Sequence, residues 1–160
     1  MIVTVISFSA CKKSDNIPAA TYSCTTCKTT PDALAANDAS SKGIYKGLVI
    51  GSSGTIIFNI ADNNTAITAI MVIDGITVNL ASTVTWVARQ AYVADLTGTL
   101  NGSVVTIHFS VGSSGSIPTV TSSTILGHPN VSLNIIKETS AGLVECFEAH
   151  IHLQSLKQEY

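Results

Sequence analysis

Charge is what this chain has least of. Asp, Glu, Lys and Arg make up 11% of its 160 residues, well below the roughly one quarter of ordinary soluble domains. Arg89 is the sole arginine and the lysines are scattered, so there is no basic stripe to hold a phosphate backbone, and nucleic acid is excluded as a partner. With a net charge of −2, strong electrostatic steering of a charged substrate is excluded as well. Aromatics are also few, at 6%, which argues against the aromatic girdles of a membrane-spanning barrel. No apolar run reaches the roughly 20 residues of a transmembrane helix. Catalytic signatures are missing too: there is no GxSxG elbow and no carboxylate pair spaced for one cleft, so no catalytic residue is assigned and the chain is expected not to be an enzyme.

Aliphatic residues, Thr, Ser, Asn and Gly fill the space that charge leaves. From Gly43 onward they fall into short β-runs separated by turn residues at the spacing of a sandwich or barrel. The runs are 44–50, 55–60, 66–73, 76–80, 83–88, 92–100, 104–111, 131–137 and 143–153, the last two expected to pair around 139–142. Residues 112–123, which include Pro118, read as a loop. Asp74-Gly75 and Asn101-Gly102 are the dipeptides of two-residue type I′ hairpins, in which both positions need positive φ. Alternation places Ile56, Phe58 and Ile60 on one face, and likewise Val105, Ile107, Phe109 and Val111. The expected fold is all-β: an antiparallel meander of about 8–10 strands closing as a barrel or sandwich, after a polar N-terminal tether with a short helix near 31–37. Pro31 suits the first position of that helix.

The N-terminus carries a different signal. An apolar run, Met1 to Phe8, is followed by Ser9, Ala10 and Cys11, then by Lys12 and Lys13. Small residues directly before a cysteine resemble the lipobox of bacterial lipoproteins. The resemblance implies that residues 1–10 are a cleaved signal peptide and that Cys11 carries a lipid that holds the chain on a membrane. No basic residue precedes the run, so the expected start lies upstream of Met1. Together with the stretch KGIYKGLVIGSSGTIIFNI, the GTLNGSVV hairpin and ILGHPNVSLNIIKETS followed by VECFEAH, this start is similar in style to small exported lipoproteins of the Bacteroidota type. That resemblance implies a β-rich domain in the cell envelope, on an outer-membrane lipoprotein, and no assigned activity. The expected layout is a signal peptide at 1–10, a lipid-anchored tether at 11–42, a β-domain at 43–153 and a tail at 154–160.

With Cys11 acylated, Cys24, Cys27 and Cys146 remain. Cys24 and Cys27, two residues apart in a polar segment, suit a local disulfide, or one of them bridges to Cys146. In the last run Leu143, Glu145 and Phe147 share the expected core face, so Glu145 needs a partner such as Lys137 unless the face is reversed. On the opposite face Cys146, Glu148, His150 and His152 line up as candidate metal ligands. His150 and His152 are spaced roughly 7 Å apart, and zinc is the metal such a set would take. Otherwise no cofactor is expected. Tyr45, Trp86, Arg89 and Tyr92 are the candidates for a ligand-stacking surface. The leading expectation is a non-catalytic binding or accessory module. Its alternatives are a structural envelope lipoprotein with no small ligand, and a metal-binding or redox protein using Cys24, Cys27, Cys146, His150 and His152.

Overall fold

Both expected hairpins form, because their turn residues accept the backbone that a right-twisted pair of strands requires. In the computed structural model Asp74 and Gly75 have φ of 49° and 76°, and Asn101 and Gly102 have 50° and 81°. The structure describes residues 5–14, 28–63 and 66–152; of these, the side chains of 5–14 and 147–152 are not described. Ten strands are present there: β1 (Val5–Ser14), β2 (Gly43–Ile50), β3 (Gly54–Ile60), β4 (Thr68–Ile73), β5 (Ile76–Ala81), β6 (Tyr92–Leu100), β7 (Ser103–Val111), β8 (Thr119–Thr124), β9 (Ser132–Lys137) and β10 (Leu143–His152). Among the described residues the helical element is a single 3-10 turn, Ala35–Asn37.

Eight strands form one antiparallel sheet in the order β8-β7-β6-β5-β4-β3-β2-β9. Its two edges, β8 and β9, lie against each other without a hydrogen-bonded ladder, so the sheet curls into a nearly closed barrel. Curling hides edges that would otherwise invite pairing with another chain. β1 and β10 form a separate two-stranded ribbon, which rests beside β2 and β3.

The inward faces are those the alternation predicts. Ile56, Phe58, Ile60, Val105, Ile107, Phe109 and Val111 are all buried. At the centre Phe58 and Phe109 stack with ring centroids 4.5 Å apart, and Tyr45 meets Phe109 edge-on at 5.3 Å, both favoured aromatic geometries. Side chains therefore fill the barrel interior. Strand β2 is buried on both faces: Tyr45 and Val49 point into the core, while Ile44, Lys46 and Leu48 point outward and are still no more than 6% exposed. The neighbouring ribbon accounts for that outer burial.

Four local expectations are corrected. Residues 83–88 form no strand: Val84 and Val87 are about half exposed, and the segment crosses one end of the barrel as a loop. Residues 119–124 form a strand where the sequence suggests a loop, because TVTSST has β-propensity without apolar alternation. The last two strands do not pair. β9 pairs with β2, and β10 with β1. Finally, the face of β10 is reversed. Val144 is fully buried, whereas the partly exposed Glu145 accepts a hydrogen bond from the Lys28 backbone N–H at 3.1 Å.

Candidate functional site

Ser41, wholly buried, ties the 82–91 loop to the barrel. Its hydroxyl accepts from Trp86 Nε1 at 2.8 Å and donates to the Gln90 carbonyl at 2.8 Å, while its carbonyl accepts from the Tyr45 hydroxyl at 2.9 Å. The Tyr92 hydroxyl donates to the Val84 carbonyl at 3.1 Å. These bonds hold Trp86 at the barrel end, partly buried and packed on the core. The Lys42 ammonium sits 4.6 Å from its ring centroid, a cation–π contact.

Two open clefts meet at this indole. One, of about 320 Å3, is lined by Lys42, Ser82, Thr83, Thr85 and Trp86 with apolar Ala61, Ala66, Ile67 and Val84. The other, of about 310 Å3, is lined by Ser40, Trp86, Arg89, Ser113 and Ser114. Neither described lining contains an acidic residue. Arg89 has a left-handed φ of 61°, an uncommon state for a residue with a side chain and one that gathers at functional positions.

Of the four stacking candidates, the structure thus brings Trp86 and Arg89 to one surface and removes the other two. Tyr45 is entirely buried and Tyr92 is 3% exposed, so neither ring can meet a ligand. Burial pushes both phenols above the usual tyrosine range. Lys42 and the serines of the second cleft carry no site signal in the sequence. Ser113 and Ser114 belong to a GSSG stretch that carries only a turn signal in the sequence.

A third cleft, of about 370 Å3, has Ile44, Ile57 and Ile70 in its wall and Asp32 and Asp62 beside them. Both carboxylates are engaged. Asp62 accepts from the Asn37 amide at 2.9 Å; Asp32 pairs with Lys28, and with Lys46 at 3.1 Å. The bond from Lys28 holds the Asp32 carboxyl below its ordinary pKa, with Lys46 adding to the effect against a smaller cost of burial. Lys46 also reaches Glu138, which is buried and accepts from the backbone N–H groups of Asp32 and Val144 at 2.7 and 3.0 Å. This network packs the 28–34 segment onto the barrel. Lys137, expected as a partner for Glu145, instead donates to the carbonyls of Asn37, Asp38 and Ser40 and so caps the 3-10 turn.

Cys146 is disulfide-bonded, which removes its thiolate from the candidate metal set. The side chains of Glu148, His150 and His152 lie outside the described residues, as do Cys24, Cys27 and the side chain of Cys11. Among the described residues no group of three or more His, Cys, Asp or Glu could hold a metal ion, and no helix is long and apolar enough to cross a membrane. One further pairing carries no signal in the sequence. His108 Nδ1 lies 2.6 Å from Asp95 Oδ1, and Ser122 is the register partner of His108 on β8. The three lie in a row across β6, β7 and β8. Asp95 and His108 are more than one-third exposed.

No family model matches the chain, and no curated protein and no solved structure is detectably similar to it. What the fold and site define is a nearly closed β-barrel with a filled interior, carrying a basic, hydroxyl-lined pair of clefts at one end.

Proposed function

We propose that this chain is a non-catalytic binding or accessory module of the cell envelope, held on the outer membrane by a lipid on Cys11. The observation that carries the binding part is the contrast between the filled barrel interior and the open clefts around Trp86. A filled lumen has no room for a ligand, so contacts are made from the end loops. The anchor rests on the lipobox-like run that ends at Cys11.

A second reading has its own observation. In the ribbon Cys11 stands directly opposite Cys146, and Cys146 is disulfide-bonded. A sulfur that carries a lipid through a thioether cannot also be in a disulfide. An exported domain with Cys11 bridged to Cys146 and no anchor therefore excludes the lipidated form, whereas a bridge from Cys146 to Cys24 or Cys27 is compatible with it. Radiolabelled palmitate incorporation decides between them. The anchored form is labelled, the Cys11→Ala variant is not, and intact mass finds residues 1–10 removed. An unlabelled wild type that keeps those residues overturns the anchor, and a Cys11–Cys146 cross-linked peptide recovered after proteolysis without reduction assigns the bridge.

A further inference from the structure

We propose that the paired clefts at Trp86 bind an acidic oligosaccharide: Arg89 takes a carboxylate, the surrounding hydroxyls take its hydroxyls, and the exposed part of the indole gives an apolar contact to one ring. This rests on the reading of the domain as a binding module and supplies its ligand class.

Charge is the first argument. The chain is net negative with a single arginine, yet that arginine lines a cleft whose described wall holds no carboxylate. Among the described residues Arg89 has no ion pair. A planar guanidinium matches a carboxylate in two parallel hydrogen bonds. Its left-handed backbone is held in place by the loop bonds from Ser41.

Chemistry of the walls is the second. Ser82, Thr83 and Thr85 on one side and Ser40, Ser113 and Ser114 on the other line the clefts, and each hydroxyl both donates and accepts, as sugar hydroxyls do. The indole offers an apolar surface between the two groups. Its orientation is already fixed by Ser41 and Lys42, so little ordering is lost on binding.

Shape is the third. Two open clefts side by side suit an extended polymer better than a compact ligand, which calls for an enclosed pocket. A nucleic acid strand is a poorer fit, since it needs a cationic track and several stacking aromatics, and Trp86 is the sole aromatic residue lining either cleft.

Trp86 is the chain's single tryptophan, so intrinsic fluorescence reports on this site alone. The full chain is titrated with oligogalacturonate, oligomannuronate and hyaluronan oligosaccharides. Neutral malto- and cello-oligosaccharides, polyphosphate and anionic phospholipid vesicles serve as comparisons. A saturable change is expected with at least one acidic sugar, suppressed by salt and absent with neutral sugars. Arg89→Asn, which tolerates the left-handed backbone, is expected to weaken it about tenfold or more, the effect of losing a charge-assisted hydrogen bond. Circular dichroism confirms that the variant is folded. No response to any acidic sugar, an equal response to neutral ones, or a preference for polyphosphate or vesicles overturns the proposal. Palmitate labelling is independent of this titration, so failure of the ligand assignment is separable from failure of the anchor.

Discussion

The Lys46 ammonium lies 2.6 Å from Oε1 of Glu138, whose side chain has no solvent exposure. Two charges taken out of water stabilise a fold only while both are present, because either one alone is left without compensation. Lys46→Met and Glu138→Leu are each expected to cost about 3–5 kcal/mol. The double variant should cost clearly less than their sum. Urea denaturation of the three variants measures this, and strict additivity would show that the pair is not coupled.

Titration should erode stability at both ends of the pH scale. The folded pKa of Asp32 is lowered from 3.8, mainly by Lys28, so its contribution is complete above pH 3.8 and lost as pH falls through the folded value. Tyr45 and Tyr92 are raised from 10.0 by burial, so keeping their phenols neutral favours the fold fully below pH 10.0 and progressively less above it. Burial lowers Lys137 from 10.5, which works the other way: between its folded value and 10.5 the fold gains as pH rises. The tyrosines dominate, since Tyr45 is shifted furthest. Urea midpoints should therefore be flat from about pH 5 to 9 and fall outside that range. Phenolate absorbance should show two of the four tyrosines titrating only on unfolding. Early titration of all four would contradict the buried placement.

Phe109 is the residue that both aromatic contacts share. Its replacement by Ala is expected to cost about 3–5 kcal/mol through lost burial and the cavity left behind. Tyr45→Phe keeps the ring and loses only the bond to the Ser41 carbonyl, for about 1 kcal/mol. Thermal unfolding separates the two, and similar shifts would mean that the core repacks freely.

Removing residues 1–10 deletes six of the ten β1–β10 register pairs but no strand of the eight-stranded sheet. The shortened chain is expected to keep its β circular dichroism and unfold cooperatively at a lower temperature. Added exposure at Ile44 and Leu48, which face outward on β2, should appear as increased dye binding. Complete unfolding would make the ribbon an integral part of the domain.

The row Asp95, His108 and Ser122 puts a non-catalytic reading at risk. It has the residue types of a nucleophilic triad, but none of the three residues lines a described cleft, and a triad needs donors placed where the oxyanion forms. A fluorophosphonate probe is expected to leave Ser122 unlabelled, and simple esters should not be turned over. Labelling abolished by His108→Ala would reverse that conclusion.

Half of the candidate site was legible in the sequence. Trp86 and Arg89 stand out as a rare aromatic and the sole arginine of a chain poor in both. Lys42, Ser113 and Ser114 carry no such mark, since what makes them part of a site is the folding of distant segments onto one barrel end. The same holds for Glu138. It follows a strand in which nothing announces burial, and it is interior because Lys46 and the 28–34 segment close over it. Tyr45 and Tyr92 are the opposite case: composition alone does not separate an aromatic platform from an aromatic core.

The sequence alone determined the inward faces of β3 and β7 and the two type I′ hairpins. Alternation and left-handed turn residues act within a few positions of the chain, where no distant partner is required. Only the tertiary structure decided that 83–88 crosses the barrel end as a loop, that β8 forms an edge, that β10 leaves the sheet for β1 and that β2 is buried on both faces. Each of these depends on which distant strand fills a place, and that is settled by closing the sheet and covering its outer face. Periodicity does not encode it.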